Sequence, residues 1–256
     1  MAKVSPKIPT RCQSHRERGD ALILLIVLLA AWQIASLVLG AHVMPAPYQT
    51  WLQLVAEIRD PDFYLHLEAT VQAFSVAILI AMVFGVMIGL ILGARRLAGD
   101  VMEPVLITLY SIPKIALYPV ILLIFGLDIS AKIAFGVIHG IIPIILFTVT
   151  AVRNIPAVYM RTSRSYRLGA MASALHVLIP AAMPEIVAGL RIGFSLTLLG
   201  TLLGEMFASQ YGIGHLLMRA MERNETSTIM ALALMLFLFA TVASYGLLKL
   251  DRYLRH

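Results

Sequence analysis

The sequence predicts an all-α membrane protein of about six transmembrane helices, with a cytoplasmic helical element between the fourth and fifth spans. Three observations lead there. Hydrophobic residues make up 60% of the 256-residue chain and charged residues only 13%, about half the charged share of a soluble domain. Mean hydropathy is +0.87. Six apolar runs of roughly 20 residues recur along the chain, each able to cross about 30 Å of hydrocarbon at about 1.5 Å per helical residue. The solvent for most of the chain is therefore lipid.

Taken in order, residues 1–20 form a basic N-terminus, and residues 21–43 hold the first span, with its apolar run at 21–40. That run is too long for the core of a signal peptide and no small-residue cleavage site follows it, so it reads as an uncleaved span. Residues 44–67 lie outside. Within them Trp51, Leu54, Val55 and Ile58 recur at helical spacing, with Gln53, Glu57 and Arg59 off that face, which predicts a short helix in the outer interface. The remaining spans make up a core at 68–248. The second lies between Glu68 and Arg95 and carries the small-residue ladder Gly85, Gly89 and Gly93; the third, at 104–127, is interrupted by Lys114 between Pro113 and Pro119. The fourth covers 133–152 and contains His139, the fifth covers 184–208 and contains Glu185, Arg191 and Glu205, and the sixth is the charge-free run 226–248. Residues 249–256 form the C-terminus, and the charged cluster Arg219, Glu222, Arg223 and Glu225 reads as the solvated face of an external loop.

Even-numbered crossing puts both termini on one side. With that side cytoplasmic, fifteen Lys and Arg residues lie inside and four (Arg59, Lys132, Arg219 and Arg223) outside, Lys114 staying within a span. This asymmetry is the positive-inside pattern. The net charge of +6 is thus explained by topology and requires no nucleic acid. The single cysteine, Cys12, excludes an internal disulfide and any multi-cysteine metal site.

On the inner side, residues 154–183 are too long for a turn. They contain Arg161, Arg164 and Arg167, then Gly169, an alanine-rich run, Pro180 and Pro184. Two short helices joined at the glycine and stopped at the prolines are predicted. The competing reading of 168–184 as a seventh span suffers from its shortness, its two prolines and the polar Ser173 and His176.

Catalytic motifs are missing. The chain has no G-x-x-x-x-G-K-[ST] phosphate loop, no H-E-x-x-H and no G-x-S-x-G, and its seven histidines are scattered singly. Such a chain carries no nucleotide or metal of its own and is expected to be driven from outside.

The stretches SIPKIALYPVILLIFGLDIS at 111–130, VLIPAAMPEIVAGLRIG at 177–193 and LLGEMFASQYGIG at 203–214 resemble the permease subunits of bacterial ABC importers of the nitrate, sulfonate and taurine type, over roughly residue 68 to the C-terminus. The resemblance implies a multi-pass protein of the bacterial inner membrane. It also implies a second permease copy, separate ATPase subunits that bind the ATP, and a periplasmic binding protein that delivers cargo. In that family the loop before the fifth span carries the EAA motif, which docks on the ATPase. Here the motif's acidic residue is absent in either register. Anchoring on Gly169 aligns it with Ser163, Arg164 and Ser165, whereas anchoring on Pro180 aligns it with Arg161, Thr162 and Ser163 and puts Arg167 at the glycine. The docking element is accordingly assigned to Arg161, Thr162, Ser163, Arg164, Ser165, Arg167, Gly169 and Pro180.

The translocation path is assigned to polar residues at membrane depth, because an unsatisfied polar group in hydrocarbon is expensive. These are Lys114, Ser195, Thr197, Thr201 and Glu205, the last three falling on one helical stripe at every fourth position. Packing of that stripe against a neighbouring helix is the alternative. Lys114 biases the path toward anions or reaches to an interface, and the glycine ladder serves packing within the chain or a seam between copies. A reading from a different class, an ion-coupled carrier with Lys114, His139 and Glu205 as a charge relay, would call for two related halves, and no internal repeat is present.

Overall fold

The computed structural model describes residues 11–156, 158–159, 161, 165–166 and 168–254. Apolar runs without backbone breakers fold as long helices, since in lipid each N–H and C=O must be paired within the segment. Five helices are long and apolar enough to cross a membrane, and a sixth crossing is available if one sharply bent pair is a single span. The first, α1 (Arg11–Leu39), presents its side chains outward along residues 22–29. Next come α2 (Pro47–Arg59) and α3 (Pro61–Ala94), which starts seven residues before the expected second span because Asp60 caps it, its side chain accepting from the Asp62 N–H at 3.0 Å.

The third span is broken, as the prolines around Lys114 predict. Helix α4 (Arg96–Ser111) and a single 3₁₀ turn with α5 (Tyr118–Phe125) meet at 86°. The cause is local. Ile112 before Pro113 is extended, as a residue preceding proline prefers, and Pro113 brings no N–H to the helix. The Tyr110 carbonyl, left without its helical donor, accepts instead from Lys114 Nζ at 2.9 Å. Gly126, at φ +75°, closes α5.

At the centre, α6 (Ile129–Arg153) lies against α3 on one side and α8 (Ile179–Ala208) on the other. Glycines set both distances. A Cβ at Gly85 would come within 2.8 Å of Ile144 Cγ2, and one at Gly93 within 2.7 Å of Val152 Cβ; the ladder is therefore a packing seam inside one chain. On the other side of α6, Gly136 and Gly140 face Thr201 and Thr197, while Gly193 and Gly200 of α8 lie against Ile144 and Phe135. Around this pair, Leu106, Ile142, Ile145 and Val149 form one buried cluster and Tyr118, Ile121, Ala131 and Phe135 another.

Three expectations are corrected. The cytoplasmic element does not stop at Pro180: α7 (Ala170–Ser173) passes through a π-helical turn at Ala174–Leu178 straight into α8, which carries both Pro180 and Pro184. The wider turn accommodates a residue that donates no helical hydrogen bond, the usual setting of a π-bulge. Residues 213–222 are not a solvated loop but helix α9 (Ile213–Glu222); its charged Arg219 and Glu222 are exposed, yet Ile213 and Leu216 are buried with Phe63 and with Leu232 of α10 (Thr226–Leu254). Finally, α2 turns Thr50 and Leu54 inward and leaves Trp51 and Ile58 exposed. Its supposed outer residues Gln53 and Glu57 bond to Thr228 of α10, at 3.3 and 3.2 Å.

Candidate translocation path and docking element

The expected path residues separate into two groups. Lys114 lies in the break of the third span, its ammonium 5.0 Å from the centre of the Tyr110 ring. Tyr110 also lines a cavity of about 520 Å³, together with Arg191, Ser195, Ser244 and Tyr245. Ser195 and Arg191 stand one turn apart on α8, and Ser195 Oγ donates to the Arg191 carbonyl at 3.4 Å. Among the described residues neither Lys114 nor Arg191 has a carboxylate partner. Tyr110 thus has one cation over its ring and shares a cavity lining with a second. Sequence reasoning counts Arg191 only as an inner positive charge and does not place it in one cavity with Tyr110; its i, i+4 spacing to Ser195 is the available signal.

The stripe Thr197, Thr201 and Glu205 forms the second group, and it does not border an opening within this chain. All three are 0% exposed. Thr197 and Thr201 press into the space left by Gly140 and Gly136 of α6, and Thr201 Oγ1 donates to the Thr197 carbonyl at 3.0 Å. Thr197 Oγ1 is buried with no hydrogen-bond partner, a deficit of about 1–3 kcal/mol that helix contact offsets. Small glycine neighbours on the facing helix, not polarity, explain this burial.

Glu205 is the hub of the bundle end beside α9. Its carboxylate accepts from Thr70 Oγ1 at 2.8 Å and from the Gly214 N–H at 2.9 Å. Thr70 Oγ1 in turn accepts the Ile213 N–H at 2.8 Å, and His66 Nδ1 accepts the Gly212 N–H at 3.1 Å. Lys132, expected in an external loop, is 7% exposed in the first turn of α6 and donates to the Tyr211 carbonyl at 2.9 Å. The loop before α9 is thereby pinned to three spans. Gly212 has φ +130°, and a Cβ there would strike the Glu205 carboxylate. His66 stacks on His215, 5.7 Å between ring centres; burial, then the charge of Arg219, lowers the His215 pKa from its usual value.

His139 bonds to the Phe135 carbonyl at 2.9 Å. Lys114, His139 and Glu205 each hold a different hydrogen-bond partner, and among the described residues no hydrogen bond joins any two of them. Of the docking residues, Arg161, Ser165, Gly169 and Pro180 are exposed, and Ser165 Oγ donates to the Arg161 carbonyl at 3.0 Å. Thr162, Ser163, Arg164 and Arg167 lie outside the described residues. Just ahead of this element, Arg153 at the end of α6 holds Asp100 and Glu103 of α4, each at 2.7 Å.

A bundle of apolar helices that buries its carboxylate and threonines between spans, and opens a cation-bearing cavity among them, is the build of a membrane transport subunit. Comparison with known proteins makes this specific. Residues 81–256 match the family model described as the binding-protein-dependent transport system inner membrane component, and the chain belongs to that family: it is the multi-pass permease subunit of an ABC importer of the inner membrane. It is 28% identical to a nitrate import permease of Synechococcus elongatus, over 90% of this chain and 85% of the relative. It is 28% identical to a probable ABC transporter permease of Haemophilus influenzae, over 84% and 88%, and 24% identical to a taurine transport permease of Escherichia coli, over 90% and 86%.

Proposed function

We propose that this chain forms the translocation path for a small anionic solute, driven by ATP hydrolysis in separate ATPase subunits. One observation carries the reading: Tyr110, which has the Lys114 ammonium over its ring, lines one cavity with Arg191, and neither cation has a carboxylate partner among the described residues. An intramembrane charge ordinarily pairs or meets water, and two unpaired cations favour an anion passing between them. The names of the relatives, which include permeases for nitrate, aliphatic sulfonates and taurine, support the same sign of charge. The permease itself holds no cofactor; ATP belongs to the partner.

The exposed element around Arg161, Ser165 and Gly169 is the docking surface for the ATPase, with both termini on that cytoplasmic side. A binding protein delivers cargo at the opposite face, where the pinned loop before α9 lies, and a second permease copy completes the path. Lys114 and Ser195 border that path, while the Thr197, Thr201 and Glu205 stripe braces the wall behind them. Membrane lipid covers the outward surface of α1, and nucleic acid has no part.

The test is reconstitution of the complex in vesicles with its ATPase and binding protein. ATP-dependent uptake should be lost when Lys114 and Arg191 are both replaced by glutamine, with assembly retained. Uptake without any co-purifying ATPase would overturn the proposal in favour of a secondary carrier.

A further inference from the structure

Where α1 stops and α10 begins, two cavities of opposite character share their walls. One, of about 330 Å³, is polar and is lined by His42, Gln53, Glu225 and the hydroxyl-bearing run Thr226 to Thr228. The other, of about 540 Å³, is apolar and is lined by Leu25 and Leu29 of α1, Trp51 of α2, and Ala233, Leu234 and Phe237 of α10. Along α10 the polar lining comes first, at the helix start, and the apolar lining follows from Met230 onward. Along α1 the order is reversed: Leu25 to Trp32 line the groove, and Ala41 and His42, just past the helix end, line the polar mouth. From Thr226 to Phe237 the helix rises about 16 Å at about 1.5 Å per residue, which is about half of the roughly 30 Å of bilayer hydrocarbon. The groove is therefore one leaflet deep beneath a polar mouth. Helix α1 does not close it, since its residues 22–29 stand exposed, and Trp32 Nε1 is committed to the Pro45 carbonyl at 3.0 Å, holding the turn between α1 and α2 beside the groove.

We infer that this groove and its mouth bind a phospholipid with a primary-amine head group, one acyl chain in the groove and the phosphate-linked ammonium in the polar pocket. The inference needs only that α1 and α10 cross the membrane, and it is independent of the cargo. An apolar cavity does not hold water, and at hydrocarbon depth an acyl chain is the apolar body at hand. Charge then selects the head. Glu225 is the one carboxylate in the lining of the mouth, and Arg223 Nη1 stands 3.9 Å from its Oε1, so an anion and a cation lie side by side at the membrane surface. A primary ammonium donates to the Glu225 carboxylate and to the threonine hydroxyls, while the phosphate accepts from the Arg223 guanidinium, both charge-assisted bonds. A choline head carries no N–H for Glu225. A glycerol head brings no positive charge, and leaves Glu225 facing the phosphate.

The test places the full chain in nanodiscs holding equal parts of phosphatidylethanolamine, phosphatidylcholine and phosphatidylglycerol, and reads the lipid retained after transfer to detergent by native mass spectrometry. Phosphatidylethanolamine should stay bound at about one molecule per chain, enriched about tenfold over either of the others. Glu225→Gln should abolish the preference over phosphatidylglycerol, because Arg223 alone then chooses by the phosphate. Ala233→Trp, at an exposed position of the groove wall, should strip the retained lipid; should that variant fail to insert, Leu29→Trp on the facing wall should do the same. Equal retention of the three lipids, which marks an unselective annulus, overturns the inference, as does a preference that survives Glu225→Gln or a retained lipid that survives the tryptophan. So does a disulfide between two copies that carry Phe237→Cys in place of Cys12, since the second copy would then occupy the groove.

Discussion

The Thr70 hydroxyl lies 2.8 Å from both carboxylate oxygens of Glu205, joining α3 to the C-terminal end of α8 across 135 positions of sequence. Its single hydrogen serves one oxygen at a time, and the same hydroxyl accepts the Ile213 N–H at 2.8 Å. One side chain therefore satisfies a buried acid and a helix terminus together.

Thr70→Val should remove both bonds while keeping the shape of the side chain. A buried acceptor and a backbone N–H would be left unpaired, at about 1–3 kcal/mol each. Thermal unfolding of the variant in lipid nanodiscs should drop by several degrees, and protease should nick the chain between residues 208 and 213. Gly212→Ala should be worse, because a φ of +130° and the Glu205 carboxylate oppose its Cβ together. An unfolding temperature within one degree of the parent for both variants would contradict the latch.

The seam between α3 and α6 offers a contrast in sign. At Gly89 a Cβ would come within 2.8 Å of Thr148 Cγ2, while at Gly246 nothing lies within 4 Å. Gly89→Val should cost about 1–3 kcal/mol through overpacking. Gly246→Ala, in an open stretch of α10, should be neutral or stabilising by up to about 1 kcal/mol. Denaturant titration in detergent separates the two; a destabilised Gly246→Ala would show that a second copy covers that face.

Hydropathy alone gave the spans their number and approximate limits, since lipid forces an apolar run to be a helix. The break at Lys114 was legible too, from Pro113 and Pro119. What the sequence concealed was long-range. Thr197, Thr201 and Glu205 have the spacing of a polar stripe whether they line water or pack on a neighbour; that within this chain the threonines face the glycines at 140 and 136 while Glu205 bonds Thr70 and Gly214 has no signal in that spacing. Arg191 looked like one more inner cation until Tyr110, 81 positions earlier, appeared in the same cavity. Pro180 and Pro184 read as a stop because the π-turn that absorbs the first of them has no sequence signature.

Acid should loosen the outer latch. The folded pKa of His215 lies below its unfolded value, through burial first and Arg219 second, so the folded state favours the neutral ring. That contribution is present above the unfolded value, about 6.5, and is lost as pH falls through the folded one. The stacked His66, 5.7 Å away, meets any charge that His215 acquires. The unfolding temperature should therefore fall between pH 7.5 and pH 5, and His215→Gln should flatten the slope. An unchanged slope in that variant would assign the effect elsewhere.

The last expectation concerns how docking reaches the path. Arg161 and Ser165 are exposed beyond the end of α6, and Arg153 at that end grips Asp100 and Glu103 of α4. Helix α4 leads to the break at Lys114. If the ATPase docks there, a push on the element would reach α4 through the Arg153 ion-pair fork and pass along it to Tyr110 in its last turn. Reversing the charges at Arg161 and Arg164 to glutamate should leave membrane insertion intact but weaken ATPase binding by at least tenfold, read by co-purification. Asp100→Asn with Glu103→Gln should instead leave docking intact and lower the uptake achieved per ATP hydrolysed. Both carboxylates are partly exposed, at 57% and 42%, so each pair is worth only about 0.2–1 kcal/mol to stability, and a loss of folding would not account for the uncoupling. Unaltered uptake per ATP in the double amide variant would remove the fork from the route, and unaltered co-purification in the double glutamate variant would move the docking surface elsewhere.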